Sequence, residues 1–259
     1  MKNKTLFWTG LGLSGSLIVL MSCAGENGFN SASVDDDGWH SIFDGESLDG
    51  WEGDPVYWRV ENGAIVGEVT EETRLDRNSF LIWREGLTSD FEIKVEYRVS
   101  AQGNSGINYR SQEIEGVPYA LRGYQADLDG RNSFTGMNYE EGRRTTIAAI
   151  GEKVLLPDLN ETYSLAEHIH RNQWTPRIVR DSLGDRDELT AHINPGWNDY
   201  HIVAKGNRLQ HYVNGVLMSD VTDEDTVSRR FEGLLGVQVH VGPPMKVEYR
   251  NFRIKHIDP

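Results

Sequence analysis

The segment FEIKVEYRV, residues 91–99, alternates without a break. Phe91, Ile93, Val95, Tyr97 and Val99 fall on one face of an extended chain, and Glu92, Lys94, Glu96 and Arg98 on the other. A period of two cannot form the apolar stripe of a helix, so it specifies a half-buried strand. SGINYRS (105–111), GYQADLDG (123–130), DYHIVAKG (199–206), NRLQHYVNGVLMSD (207–220), GLLGVQVHVG (233–242) and KVEYRNFRIKHI (246–257) also read as strands. Between HYV and VLM, Asn214 and Gly215 both tolerate positive φ and mark a tight hairpin. Many short strands punctuated by Gly and Asn predict an all-β sandwich of two antiparallel sheets.

Residues 151–190 lose the alternation and gather Pro157, Pro176 and many charges. Ser164 followed by Glu167 fits a capping box for a short helix, with Leu165 and Ile169 on its inner face. The interval is expected to be a long, partly helical insertion over one rim or face of the sandwich.

The N-terminus has a different character. Lys2 and Lys4 precede an uncharged run that ends in LMSC at residues 20–23. A basic start, an apolar centre and a small residue before a break suggest a secretory signal over residues 1–22. Cys23, the single cysteine, stands where a bacterial lipoprotein carries its lipid, although Met21 is larger than the usual lipobox residue. An uncleaved anchor is the other reading, but the run is short and Gly-rich for a membrane span. Residues 23–38 are small, polar and acidic and read as a tether, leaving residues 39–259 as one domain. These features predict a bacterial cell-envelope protein attached to a membrane only through its N-terminal lipid. A formal net charge of −14 argues against nucleic acid, which requires a basic footprint.

The outer faces of the strands differ in kind. The Glu92, Lys94, Glu96 and Arg98 row is balanced and flexible, as solvated faces are. Asn108 with Arg110, Gln125 with Asp127, and Gln238 with His240 are short or planar groups, suited to a polyhydroxylated ligand if their strands lie side by side. The segment NSFTGMNYEEGRR (132–144) adds Tyr139, Glu140, Glu141, Arg143 and Arg144. Its paired carboxylates beside guanidiniums would serve as a general acid and base with electrostatic support, or as a salt-bridged loop. Metal signals are weak. His168 and His170 are two residues apart and diverge on a helix, and DLDGRN (127–132) lacks the third acidic position of a calcium loop. There is no GxSxG elbow or HExxH helix.

Six segments in order, SIFDGESLDGW (41–51), YWRVENGAIVG (57–67), NSGINYRS (104–111), GYQADLDG (123–130), GWNDYHIVAKGNRLQHYVNGV (196–216) and GVQVHVGPPMKVEYRNFRIK (236–255), resemble the 3-keto-disaccharide hydrolase domain family. The resemblance runs from about Trp39 to Ile257. It implies a concanavalin A-like jelly roll and a bacterial secreted or lipid-anchored enzyme that cleaves glycosides oxidised at C3. A C3 ketone acidifies the hydrogen on C2, so a base can remove it and the group on C1 leaves by β-elimination. Addition of water then completes a net hydrolysis. On this reading Asp127 or His240 is the base and Arg110 stabilises the enolate oxygen. Glu140 or Glu141 is the proton donor or a metal ligand, and Asn108, Gln125, Tyr139, Arg143 and Gln238 contact the sugar. No cofactor is specified. A divalent ion bridging the 2-hydroxyl and 3-oxo groups would also serve, although no ligand set stands out. Two rival classes are a non-catalytic sugar-binding module, for which Trp51, Trp58, Trp83 and Trp174 are available as platforms, and a two-carboxylate glycosidase acting on unoxidised substrates.

Overall fold

Phe91–Val99 forms a strand over its full length, with Phe91, Ile93, Val95 and Tyr97 buried. It lies between Asn198–Lys205 and Met245–His256, antiparallel to both. This arrangement comes from a computed structural model that describes Met1 and residues 37–257. Apart from Met1, the expected signal segment, with Cys23 and nearly all of the expected tether, lies outside the described residues.

Two sheets are packed face to face. The first runs Ile178–Ser182, Glu152–Leu156, Val216–Asp223, Arg208–Val213, Asn198–Lys205, Phe91–Val99, Met245–His256, Ala64–Val69 and Trp58–Glu61, with His40–Ser41 also paired to Met245–His256. The second runs Ile169–His170, Gln173–Trp174, Thr145–Ala148, Asn138–Glu141, Leu121–Asp129, Asn104–Glu113, Gly233–Val239, Ser79–Thr88 and Trp51–Glu52. Nearly all neighbours are antiparallel. The parallel exceptions are Glu152–Leu156 with Val216–Asp223, and a single pairing of Thr146 with Gln173. The hairpin expected at Asn214-Gly215 is present, with φ of 48° and 78°. Two successive positive φ values are what a two-residue turn needs to match the twist of its strands.

The core fills the space between the sheets. Ile107, Tyr109, Tyr124, Ala126, Leu128, Val237 and Val239 of the second sheet meet Phe91, Ile93, Tyr97, Tyr200 and Ile202 of the first. Tyr109 stacks on Tyr124 with ring centroids 5.7 Å apart. Buried His211 sits 2.9 Å from the Tyr109 hydroxyl and 3.0 Å from the Met137 carbonyl. A ring nitrogen facing a carbonyl carries the hydrogen, so Nδ1 donates to Met137 and Nε2 accepts from Tyr109. Burial lowers the His211 pKa to about 4 and keeps the ring neutral.

The all-β sandwich agrees with the sequence reading, but the insertion does not. Residues 151–190 contribute strands to the edges of both sheets and only two very short helices, Leu165–His168 and Arg186–Thr190. Ser164 caps the first without any side-chain hydrogen bond, and Ile169 already belongs to a strand. The real side-chain cap is Asp185, which accepts from the backbone of Asp187 and Glu188. Short two- to five-residue strands carry too little alternation to be seen as strands in sequence.

Candidate active site

Side-by-side placement of the three polar rows was the condition for a site, and it is met. Leu121–Asp129, Asn104–Glu113 and Gly233–Val239 are consecutive neighbours in the second sheet. Tyr124, Ala126 and Leu128 point into the core, so Gln125 and Asp127 point out of it. Yet Gln125 is only 3% exposed, Asp127 8% and Gln238 0%. Polar side chains on a sheet's outer face are ordinarily solvated, so their burial here shows that this face is enclosed.

The register explains the enclosure. Asp127 lies opposite Gly106, and Ile107 opposite Val237, which brings Gln238 level with Gly106 on its other side. A Cβ at position 106 would stand 2.4 Å from the Gln125 carboxamide carbon. Glycine therefore lets Gln125 lie across the central strand. From there its Oε1 accepts from Gln238 Nε2 (3.1 Å), and its Nε2 donates to Asp127 Oδ1 (2.6 Å). Gln238 Nε2 also donates to Glu141 Oε2 (3.3 Å), and Asn78 Nδ2 donates to Glu141 Oε1 (3.2 Å). Two glutamine amides thus tie two carboxyl groups into one network.

The network borders a cavity of about 220 Å³, lined by Asp127, Glu141, His240, Gln125 and Tyr139 among the expected residues. Asn78, Asn104, Phe134, Met137, Thr146 and Asn172 complete the lining. Burial raises the pKa of Asp127 well above the ordinary carboxylate range, reinforced by the nearby Glu141 charge and opposed by the Gln125 hydrogen bond. Glu141 is raised by burial too, opposed by amide donors on each of its oxygens. Of the two carboxyls, Asp127 is the one more strongly biased to hold a proton, because only one amide favours its anion. Burial lowers His240 below the usual imidazole value. Its Nδ1 lies 2.5 Å from the Val241 carbonyl, so that nitrogen carries the hydrogen and Nε2 presents a lone pair. Tyr139 is pushed up to about 12 by burial and the neighbouring carboxylates, and its hydroxyl donates to Asn172 Oδ1 (3.2 Å).

Four expected residues stand elsewhere. Arg110 sits at a register shift between Tyr109 and Gln112, with a φ of 47°. This irregularity turns it away from the cavity, where its guanidinium donates to the carbonyls of Ser89 and Gly206 and to Asp90. Glu140 pairs across the strands with Tyr124, on the core side, whereas Tyr139 and Glu141 flank it on the cavity side. There it accepts from Arg144 Nε (2.6 Å), and Arg144 bridges on to Asp223 (2.6 Å) and Asp225 (3.2 Å). Arg143 faces Glu140 at 3.2 Å and reaches the Ser228 carbonyl. This is the salt-bridged cluster that was the alternative reading of EEGRR. Asn108 shares the outer face but is fully buried, unpartnered and outside the cavity lining. The tryptophans proposed as platforms for a binding module, Trp51, Trp58, Trp83 and Trp174, are all buried. Among the described residues, no three His, Cys, Asp or Glu side chains are placed to hold a metal ion.

Asn104 was within reach of sequence reasoning, because it opens the NSGINYRS segment. Asn172 was not: it sits in a left-handed conformation, φ 59°, in a short turn of the 151–190 interval, where no periodicity points to it.

Residues 38–255 match the model of the 3-keto-alpha-glucoside-1,2-lyase-like domain family. A 3-keto-disaccharide hydrolase of Bacteroides thetaiotaomicron is 38% identical over 244 residues, spanning 87% of this chain and 80% of that protein. Two crystallised Parabacteroides distasonis proteins, each described as a candidate glycosyl hydrolase, share the fold. One has a TM-score of 0.52 at 21% identity over 86% of this chain and 95% of its own. The other has a TM-score of 0.53 at 12% identity over 85% and 99%.

Gly106→Ala is expected to force Gln125 off the central strand and break the Gln125–Gln238 bridge. Overpacking of this kind destabilises by about 1–3 kcal/mol, and activity should fall by at least tenfold while the fold persists. Denaturant unfolding and steady-state kinetics on the variant test this, and wild-type activity would show that the bridge does not position the site.

Proposed function

The chain belongs to the 3-keto-alpha-glucoside-1,2-lyase-like domain family, a family of glycoside-cleaving enzymes, and on that premise we propose that it cleaves glycosides whose sugar carries a ketone at C3. The observation that supports this most is the convergence of Asp127, Glu141 and His240 on one small cavity with opposed proton affinities. A substrate with an acidic C2 hydrogen and a leaving group on C1 needs one group to take a proton and another to give one.

In the proposed reaction His240 Nε2 removes the hydrogen from C2, and the electron pair moves to the C3 oxygen. The buried cavity lacks a guanidinium for that oxygen, since Arg110 faces elsewhere. The amides of Asn104 and Asn172, which line the cavity, are the neutral donors available to it. The electrons then return to form the C1–C2 double bond, the C1–oxygen bond breaks, and protonated Asp127 delivers its proton to the departing oxygen. Water adds across the double bond in the reverse sense. The Asp127 carboxylate takes a proton from the water that attacks C1, and the His240 imidazolium, only partly buried, exchanges its hydrogen with water before it returns a proton to C2. Glu141, held by Asn78 and Gln238, stays ionised and accepts sugar hydroxyls. Gln125 and Gln238 position the two carboxyls, and Gln125, which lines the cavity, keeps one Nε2 hydrogen for the sugar.

The same proposal extends to location. Lys2, Lys4 and the LMSC sequence support a lipid on Cys23 that holds the domain at the bacterial cell envelope. Cys23→Ser should move the protein from the membrane to the soluble fraction, and unchanged fractionation would contradict the anchor.

Incubation with a 3-keto-glucoside and with the parent glucoside separates this reading from its rivals. Turnover of the keto form alone is expected, whereas turnover of the parent would identify a conventional two-carboxylate enzyme, and binding without turnover a module. The pH profile of kcat/KM should be bell-shaped. Its acid limb falls below the usual imidazole value of about 6.5, because His240 must be neutral, and its alkaline limb lies above the usual carboxylate value of about 3.9, because Asp127 must be protonated. Asp127→Asn should lower kcat by about 10²–10⁴-fold and remove the alkaline limb. An unchanged profile in that variant would take Asp127 out of the mechanism.

A further inference from the structure

The cavity that holds Asp127, Glu141 and His240 is about 220 Å³, below the ~300–1,000 Å³ of pockets that enclose drug-sized ligands. It therefore takes a single sugar ring, and whatever is bonded to C1 must lie at the rim. Phe134 lines the cavity and yet remains 44% exposed, an aromatic ring left half in water at the edge of a polar site. Its neighbour in the lining, Met137, is nearly covered at 9%.

The loop that carries Phe134 is fixed with unusual thoroughness. The Asp129 carboxylate, 5% exposed, accepts four backbone N–H groups from it. Oδ1 takes those of Phe134 (2.7 Å) and Thr135 (3.1 Å), and Oδ2 those of Arg131 (3.2 Å) and Ser133 (3.1 Å). Arg186 Nη2 donates to the Ser133 carbonyl (3.0 Å), and the Met137 N–H to the Phe134 carbonyl (2.9 Å). The carboxylate that looked like part of an incomplete calcium loop in sequence is occupied in holding this turn. A loop ordered before binding keeps the entropic cost of recognition low.

From the small cavity, the exposed ring and the clamped loop we infer that Phe134 is a stacking platform for a ring carried on C1 of the substrate. Either a second sugar or an aryl group would present the required flat, C–H-lined face. The inference rests on the function proposed above and assigns Phe134 as the residue that favours a ring on C1 over a simple alkyl group.

Three 3-keto-glucosides with different groups on C1 test it: methyl, aryl and glucosyl. In the wild type all three are turned over, with kcat/KM higher for the two cyclic leaving groups. Phe134→Ala should cost about tenfold in kcat/KM on those two, mostly through KM, and several-fold less on the methyl glycoside. Phe134→Trp should restore the preference. A loss on only the aryl or only the glucosyl substrate identifies which ring the platform serves. Because Phe134 is exposed, Phe134→Ala should unfold at the wild-type temperature, which separates lost stacking from lost structure. Equal losses on all three substrates, or no loss on any, would overturn the inference and leave the proposed function standing. If the wild type turns over none of them, the proposed function fails and the inference fails with it.

Discussion

The site depends on an amide bridge laid across a glycine. Gln125 and Gln238 stand on strands that are not neighbours, and they meet only because Gly106, on the strand between them, has no side chain. An unpaired buried amide costs about 1–3 kcal/mol, so each glutamine is held to the other and to a carboxyl group. The opposite face of these three strands carries Ile107, Tyr124, Ala126 and Val237 into the core. A register slip of one residue would put the amides in the core and the core residues in the site. Packing of the sandwich and alignment of the chemistry are therefore two consequences of one alternation.

Burial gives the enclosed face its chemical character. It raises Asp127 and Glu141 and lowers His240, which favours a protonated Asp127 beside a neutral His240. The number of amide donors separates the two carboxyls: two on Glu141 favour its anion, one on Asp127 leaves room for a proton. The guanidiniums of Arg110 and Arg144 serve the framework and supply no positive charge to the cavity. Arg144 neutralises Glu140, Asp223 and Asp225 on the core side, and removing a partner from so buried a cluster ordinarily costs about 3–5 kcal/mol.

Alternation made much of this legible in the sequence. It placed Phe91–Val99 and the Asn214-Gly215 hairpin, and it set Gln125, Asp127 and Gln238 on an outer face. It failed where the chain departs from period two. Parity alone puts Arg110 in the row of Asn108, and the register shift after Tyr109 undoes that parity. Glu140 and Glu141 are adjacent on a strand and so face opposite ways, and pairing with Tyr124 decides that Glu140 meets the core. Phe134 and Asn172 come from turns, where side-chain direction is set by backbone hydrogen bonds and positive φ. The composition of residues 151–190 suggested a helical excursion, because strands of two to five residues leave no periodic trace.

The central claim is that the bond at C1 breaks only after the hydrogen on C2 has been taken. The most direct measurement uses a 3-keto-glycoside carrying deuterium at C2, with release of the label to water and release of the leaving group followed together by NMR. The account predicts that the label appears in solvent in step with the leaving group. Release of the leaving group with deuterium still on C2 would contradict it.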